Sequence, residues 1–471
     1  MEITFFGIIL ILLFLIFLFK NRNSSFKEIY CKLFFFSIAS SLVIDLGYFM
    51  KIGNFIIEYN YVFTLITLFF AIISIFKYHI SINRYSVVFL ILCVLIMGVL
   101  LPMLFNILYK SVSFDEPWDI YIGTGVPLND VHVTTHSIFL IIRVFFFLIE
   151  FITFCSLRGE NNISFYMNKL FKISAFVLFL SLIEMFVSNF IHPMYFREFS
   201  FRLFGRSSAS YYVPRQAFGI YVPMLFMREP SSFCYTSLFF IINGIALYND
   251  SNSKILKRKT IIVCLFYIIL LALSKSLSAY IYILSIFLVV FYISRNKALI
   301  FLSSITIIGF VICILLTTMG DRINVLLSSL SSILSNEYNN LSNSSEVIRI
   351  YSIYNNFMLF LNYPIIGCGI GTIYSYSAVV TVLCNIGIIG ILLFIIAIKK
   401  NTNYFFNVEF FSWFSLNIII VVHLFTGHMS HLLYLERISY LYLLLKYINI
   451  QNNSKKHIFS AKIKKGVAYE I

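Results

Sequence analysis

Arginine side chains gather between residues 193 and 233, and no lysine accompanies them there. They are Arg197, Arg202, Arg206, Arg215 and Arg228. A second stretch, 318–373, adds Arg322 and Arg349 and also holds no lysine. A guanidinium binds phosphate or carboxylate through a planar fork of two hydrogen bonds, whereas an ammonium is a point charge. The pattern therefore indicates an anionic ligand, with pairing to lipid headgroups or nearby acids as the alternative.

Glu229 is the candidate general base. It stands in the segment Arg228-Glu229-Pro230-Ser231, directly before an apolar run. Proline at an early helical position with an acid in the first turn is typical of a helix start. That explanation accounts for Pro230 and partly for Glu229, but not for an arginine beside a glutamate at this place. A carboxylate there could take the proton of an acceptor sugar hydroxyl, or hydrogen-bond the acceptor sugar.

The stretch 318–373 carries helical patterns and a run of glycines. Helical spacing of apolar residues from Ile323 to Leu334 predicts a helix lying in an interface. Asn343 followed by Glu346 resembles a capping box that opens a second helix, with Arg349 near its start. Gly367, Gly369 and Gly371 follow, without the strand and βαβ context of a dinucleotide site. These glycines are expected to allow tight turns or close approach to a ligand.

The composition predicts that membrane-spanning helices position these residues. Of 471 residues, 60% are hydrophobic and 12% charged, and the mean hydropathy is +0.92. Soluble domains carry about 25% charged residues, so this chain could not cover a water-exposed surface. The net charge of +15 does not require nucleic acid, because cytoplasmic loops of membrane proteins collect positive charge. The eight cysteines show no CxxC spacing, which argues against a disulfide framework or a zinc site.

A polytopic all-α membrane protein of about 12–13 spans is the predicted fold. The qualifying apolar runs are 3–19, 33–50, 55–76, 86–108, 138–157, 170–192, 234–248, 261–274, 277–293, 299–317, 374–398, 410–426 and 432–448. Lysine-rich loops alternate with lysine-poor ones, which predicts cytoplasmic lysines, a cytoplasmic basic tail at 449–471 and an external N-terminus. The long external loops are then 109–137, 193–233 and 318–373. Chemistry is expected on the outer face, because no cytoplasmic loop could hold a nucleotide-binding fold.

Three motifs together resemble those of the bacterial O-antigen polymerase and ligase superfamily, and the best match is the Wzy-type polymerase. One is Arg349 followed by Asn362-x-Pro364, and another is Gly367-x-Gly369-x-Gly371 before a span with Gly387 and Gly390. The third is the segment Arg228 to Ser231. The motifs cover about 227–235 and 345–395, and the span pattern covers most of the chain.

The resemblance implies a metal-independent glycosyltransferase of the C-type membrane superfamily, with no cofactor, in the bacterial inner membrane. It would join undecaprenyl-pyrophosphate-linked repeat units into a longer polysaccharide, with a chain-length regulator protein as a further partner. By position, Arg215, Arg228 and Arg349 would hold the pyrophosphate, and Arg202 and Arg206 are weaker matches. Glu229 is the first candidate base, with His428 or His431 as the runner-up.

Two other functions remain open at this stage. A ligase of the same superfamily usually has a histidine shortly after the glycine motif, and none stands between Tyr374 and Cys384. A lipid-linked oligosaccharide flippase would need internal repeats and charges lining a central cavity. Among charges inside the predicted spans, Arg143 and Glu150 are expected to form a structural ion pair, and Glu184 is the candidate for a functional role.

Overall fold

The computed structural model describes residues 2–43, 48–52, 55–57, 59–80, 135–157, 163–205, 216–217, 219–223, 230–251, 253–274, 345–367 and 377–401, with single helical positions between 279 and 331. The predicted spans 86–108, 299–317, 410–426 and 432–448 lie outside these ranges, as do most of 277–293, nearly all of the loop 109–137 and the tail 449–471.

Helices dominate the described residues, as the sequence predicts. They are α1 (Phe5–Lys20), α2 (Phe26–Val43), α3 (Tyr59–Lys77), α4 (Thr135–Ser156), α5 (Ile163–Phe190), α6 (Tyr195–Phe204), α7 (Pro230–Asp250), α8 (Lys254–Leu273), α9 (Ser345–Asn362) and α10 (Ala378–Asn401). Strands β1 (Glu2–Ile3), β2 (Met50–Ile52) and β3 (Phe55–Ile57) form a small antiparallel sheet, and β4 (Gln216–Ala217) pairs with β5 (Ile220–Tyr221).

The predicted helical fold is confirmed, and the two small sheets are additions that hydropathy does not reveal. The apolar run 33–50 corresponds to α2, which ends at Val43, and Met50 belongs to β2. The run 55–76 corresponds to α3, whose first residue is Tyr59 because 55–57 form β3. Apolar strand residues raise the mean hydropathy of a sequence window as much as apolar helical residues do. Hydropathy therefore does not distinguish the hairpin of β2 and β3 from the helices on either side of it.

Helix α5 buries serines and a glutamate among apolar side chains and exposes large apolar ones. Its buried face carries Ser174, Ser181 and Ser188 at intervals of seven residues, together with Glu184 and apolar residues from Ile163 to Leu178. Its other side exposes between 40% and 77% of each of Phe176, Phe179, Leu182, Phe186 and Phe190. Small residues at helix contacts are typical of membrane helices, whereas the outer face of a surface helix in a soluble protein is typically polar.

By length and composition, α5 is the one helix among the described residues that is able to cross a membrane. Its 28 residues would span about 42 Å at the usual rise of an α-helix. Shorter apolar helical segments are Phe5–Lys20, Tyr61–Lys77, Phe145–Phe154, Phe233–Tyr248 and Val379–Leu392.

The main core joins α5 to α2, α3, α4, α7 and α8. The Tyr267 hydroxyl of α8 donates a hydrogen bond to the carbonyl of Ser174 at 2.7 Å. Asn243 of α7 donates from its side-chain amide to the carbonyl of Met167 at 3.0 Å. Helices α7 and α8 approach closely at Gly244, where an added Cβ would collide with the sulfur of Cys264. Polar bonds and a small residue therefore hold these helices together, in addition to apolar packing.

Lysine-bearing turns define one end of this bundle, which we call the lysine end (residues 20–32, 77–80, 163–169 and 250–259). The backbone N–H of Lys27 donates to the Tyr78 hydroxyl at 3.1 Å. The Ser164 hydroxyl donates to the Asp250 carboxylate at 2.6 Å. Phe35 of α2 stacks on Tyr166 in the first turn of α5, with ring centroids 4.7 Å apart. Helices α2 and α5 therefore both start near this end.

Helices α9 and α10 form a second packing unit with its own small core. Leu359, Phe360, Val380 and Cys384 are its buried apolar residues. The predicted second helix of the stretch 318–373 is present as α9, which begins at Ser345 and contains Arg349. Of the predicted interfacial helix, positions 324, 327, 328 and 331 are described, and all are helical.

Candidate functional site

Helix α6 is the structured part of the arginine-rich loop. It ends at Gly205, whose φ of +81° is the left-handed conformation that favours glycine and whose N–H bonds the carbonyl of Phe201. An added Cβ at Gly205 would also collide with the Thr4 methyl group and lie 2.9 Å from the Tyr48 ring. Glycine is therefore required here both for the backbone turn and for the close contact.

The two arginines of α6 lie in different surroundings. Arg197 is only 1% exposed, and its guanidinium carbon lies 5.6 Å from the centroid of the Phe201 ring. Arg202 is exposed, in the last turn, where a positive charge also stabilises the helix dipole. Sequence reasoning grouped both as surface charges for an anion. Arg197 instead packs within the protein, and of the two only Arg202 is open to a ligand.

The chain's N-terminal residues hold α6 in place. We call this region the α6 end (residues 2–4, 48–57, α6 and the strands β4 and β5). The Thr4 hydroxyl shares a 2.6 Å hydrogen bond with the Tyr59 hydroxyl, and the backbone N–H of Tyr48 donates to the carbonyl of Phe204 at 3.1 Å. The rings of Tyr59 and Phe204 meet edge to face at 5.9 Å. Aromatic packing and backbone bonds thus give α6 a defined position.

Strands β4 and β5 form a hairpin beside the last turn of α5. Ala217 pairs with Ile220 and Gln216 with Tyr221, and Gly219 in the two-residue turn has a φ of +77°. Asn189 accepts a hydrogen bond at its side-chain oxygen from the N–H of Tyr221, at 2.8 Å. It also donates from its amide nitrogen to the carbonyl of Tyr221 at 3.2 Å and to that of Met185 at 2.7 Å. The hairpin is therefore bonded to α5 by Asn189, a residue that no sequence pattern marks as functional.

Most of the predicted anion-binding residues border these described elements along the chain. Arg215 immediately precedes β4, and Glu229 immediately precedes the first residue of α7. Arg206, Arg215, Arg228 and Glu229 themselves lie outside the described residues, as do Gly369, Gly371, His423, His428 and His431. Arg202 and Arg349 are on described helices in different packing units, because α6 packs on α1 and α5 whereas α9 packs on α10.

Gly367 and Gly387 bring two backbone segments into direct contact. Helix α10 is interrupted at Gly387, which has φ +60° and ψ −173°. The break removes helical acceptors for the N–H groups that follow, and carbonyls of the segment after α9 replace them. The N–H of Ile388 donates to Pro364 at 2.9 Å, and that of Ile389 donates to Ile365 at 3.1 Å.

Neither glycine at this crossing can carry a side chain. A Cβ on Gly387 would lie 2.5 Å from the Ile365 oxygen and 2.6 Å from the Gly367 nitrogen. A Cβ on Gly367, whose φ is +67°, would lie 2.7 Å from the Gly387 nitrogen. Of the glycine motif, which is expected to allow tight turns or close approach to a ligand, Gly367 is described, and the group that approaches it is the backbone at Gly387.

Polar side chains surround the crossing inside the α9–α10 unit. Asn356 is fully buried, and its carbonyl accepts a hydrogen bond from the Cys384 thiol at 2.6 Å. Asn385 donates from its amide to the carbonyl of Thr381 at 2.6 Å. The Thr381 hydroxyl donates in turn to the carbonyl of Ser377 at 2.9 Å. The bonds of Asn385 and Thr381 lie within one helix, and the thiol bond joins α9 to α10, so all three favour a structural role for this polar group.

The charged side chains inside the predicted spans are buried. Arg143 is 4% exposed, and its guanidinium carbon lies 4.9 Å from the centroid of the Tyr61 ring. Glu150, on the same helix, is 1% exposed, and its backbone carbonyl accepts from the Tyr30 hydroxyl. Glu184 is 2% exposed on the inward face of α5. The ion pair of Arg143 with Glu150 and a functional role of Glu184 stay predictions.

The described part of the chain contains no cluster of three or more histidine, cysteine or acidic side chains with the geometry to hold a metal. The chain matches no protein-family model, no curated protein and no solved structure.

Proposed function

We propose that this chain is a multi-pass inner-membrane glycosyltransferase that polymerises lipid-linked oligosaccharide repeat units at the outer membrane face. The observation that carries the proposal is the separation of the two basic regions. The helix and hairpin of the arginine-rich loop stand at the α6 end, where Lys51 of β2 is the one described lysine, and the lysines of four turns stand at the lysine end. A protein with most of its lysines on its cytoplasmic side and its arginine-rich loop on the other side would have this arrangement.

The membrane part of the proposal is supported by α5 and by other exposed apolar faces. Large apolar residues, most of them aromatic, cover the outward side of α5, and its inward side carries serines and a glutamate among apolar residues. Helices α1, α3 and α8 also expose large apolar side chains, including Leu12, Phe69 and Leu265, each more than half exposed. Water would penalise such continuous apolar surfaces, whereas lipid chains would cover them.

In the proposed reaction, the acceptor hydroxyl attacks the anomeric carbon of the donor sugar. A new carbon–oxygen bond forms as the bond from that carbon to the pyrophosphate breaks, and the lipid carrier leaves with the pyrophosphate. Arg215, Arg228 and Arg349 would stabilise the charge that develops on the leaving group, with Arg202 and Arg206 as further contacts. Glu229 would take the proton of the acceptor hydroxyl. Pyrophosphate is already a good leaving group, so this scheme needs no metal.

Deletion of the gene tests the proposed function. The deletion strain is expected to present surface lipid with at most one repeat unit, because export continues while polymerisation stops. Expression of the chain from a plasmid should restore the long polymer. Glycan length is read from gels of surface polysaccharide, and lipid-linked intermediates are measured in each membrane leaflet.

Two results of the same experiment would contradict the proposal. Repeat units accumulating on the cytoplasmic leaflet would identify a flippase. Loss of even the single-unit surface product would identify a ligase.

A further inference from the structure

The hairpin of β4 and β5 separates Arg215 from Arg228 and Glu229 along the chain. The register of its two strands leaves backbone N–H and C=O groups on the outer edge that need a hydrogen-bond partner. In a two-residue hairpin the residues beside the turn bond each other, so Ala217 and Ile220 use their inward groups. The next pair, Gln216 and Tyr221, directs its N–H and C=O groups away from the partner strand. Tyr221 therefore presents a donor and an acceptor on its outer edge.

Asn189 satisfies both of these groups with one side chain. Its oxygen accepts from the Tyr221 N–H at 2.8 Å, and its amide nitrogen donates to the Tyr221 carbonyl at 3.2 Å. The same nitrogen donates to the carbonyl of Met185 on α5 at 2.7 Å, which fixes the orientation of the amide. The Asn189 amide thus bonds the outer edge of β5 as one peptide group of a third strand would. Of the common side chains, only an amide supplies an acceptor and donors at this length.

We propose that Asn189 is a positioning residue for the arginine-rich loop. By bonding Tyr221 to the end of α5, it fixes the place from which the chain leads back to Arg215 and onward to Arg228 and Glu229. This inference rests on the proposed function, because it takes those residues to bind and activate a pyrophosphate-linked donor. Asn189 itself has no contact with the reacting groups in this scheme.

The test uses the full-length protein in lipid nanodiscs and compares Asn189→Ala with Asn189→Asp. Asn243→Ala is the matched control, because Asn243 is also a helix-bundle asparagine with a side-chain bond to a distant carbonyl. Amide hydrogen exchange is measured on peptides covering 216–223, and steady-state kinetics are measured with a lipid-linked repeat unit. Hydrogen exchange reports whether the Asn189 contact holds the hairpin, and the kinetics report how that contact affects substrate binding and turnover.

Asn189→Ala is expected to speed exchange of the Tyr221 amide about tenfold or more, because two hydrogen bonds are lost. It should raise KM for the lipid-linked donor severalfold with a smaller change in kcat, since pyrophosphate contacts form already in the bound ground state. Asn189→Asp keeps the acceptor and loses the donor, so both effects should be intermediate. Asn243→Ala should lower thermal stability and leave the exchange at 216–223 and KM as in the wild type.

Three outcomes would overturn the inference, and they are distinguishable. Unchanged exchange at Tyr221 in Asn189→Ala would show that the contact does not hold the hairpin. Faster exchange with wild-type KM and kcat would show that the held hairpin does not position the site. If the wild type neither extends a lipid-linked repeat unit nor gains protection at 216–223 from undecaprenyl pyrophosphate, the proposed function fails. The positioning role would then fail with it, whatever the exchange of Tyr221 shows.

Discussion

Two arginines five positions apart on α6 show that residue type alone does not define an anion site. The preference for arginine at 197 is explained by its burial and by its guanidinium lying over the Phe201 ring, which an ammonium would cover less well. Arg202 on the exposed side has no such explanation beyond the helix dipole. The hypothesis of an arginine site therefore depends on the other arginines, above all Arg215, Arg228 and Arg349.

Arginine-to-lysine substitution at 215, 228 and 349 should lower polymerisation nearly as much as substitution by alanine. Lysine keeps the charge and loses the two-bond fork. Loss of one charged hydrogen bond costs about 1.5–3 kcal/mol, or about tenfold to a hundredfold in rate. Surface glycan length and single-turnover rates with a lipid-linked repeat unit are the measurements.

Arg258→Lys is the matched control for this series, because Arg258 is exposed on α8 at the lysine end. Protein abundance must be measured beside activity, since a folding defect would mimic loss of a contact. Wild-type chain length in all three lysine variants, at normal abundance, would rule out a pyrophosphate clamp and leave headgroup pairing as the role of these arginines.

The sequence indicates residue types suited to an anion site but not where their side chains lie. A glycine cluster before an apolar run favours tight turns or close approach, and at Gly367 the group that approaches is the backbone at Gly387. Asn189 and the burial of Arg197 could not be predicted. The partner of Asn189 lies 32 positions away, and nothing local distinguishes this asparagine from others in the chain.

The backbone geometry at the interruption of α10 can be tested by substituting Gly387. Gly387→Ala should destabilise the protein by about 3 kcal/mol or more, because a Cβ there meets the Ile365 carbonyl and the Gly367 nitrogen at a positive φ. Gly219→Ala is the matched comparison, since Gly219 has a φ of +77° with open space around it. That variant should lose only about 1–2 kcal/mol from backbone conformation.

Thermal unfolding of both glycine variants in detergent, followed by fluorescence-detected gel filtration, measures the difference. Equal losses of stability would mean that the backbone crossing between the segment after α9 and the interrupted helix contributes nothing. A milder effect at 387 than at 219 would contradict the geometry of the break itself.

The elements were predictable where they are long and apolar. Helices α1 to α5, α7, α8 and α10 overlap predicted runs because most of their residues are apolar. The sheet of β1, β2 and β3 was not predictable, since its strands have three residues or fewer and continue the apolar runs of their neighbours. The one sequence feature that marks the interruption of α10 is Gly387, and glycine is also common in unbroken membrane helices.

Cysteine labelling can test whether a membrane separates the α6 end of the molecule from the lysine end. A cysteine replacing exposed Glu198 on α6 should react with an impermeant maleimide in intact spheroplasts. A cysteine replacing exposed Lys254 at the lysine end should react only after lysis. Unsubstituted protein supplies the blank, because, of its described cysteines, those at 31, 234 and 384 are buried and Cys264 is partly exposed.

The opposite labelling pattern would place the arginine-rich loop in the cytoplasm and remove the basis of an external active site. Equal labelling of both positions in intact cells would contradict a membrane between the two ends.

The contact between Thr4 and Gly205 has a consequence for biogenesis. Among the described residues, α1 buries only Gly7 within its length, and it packs on α6. Helix α1 can dock first on β2 and Tyr59, because Thr4 bonds Phe49 and Tyr59 and Phe6 packs on the Tyr59 ring. Its contact with Phe204 forms only once α6 has been synthesised, which at about 5–20 residues per second is roughly 7–30 s after Tyr59. During that interval the side of Phe6 that Phe204 later covers is open, so chaperones would meet that surface before α6 does.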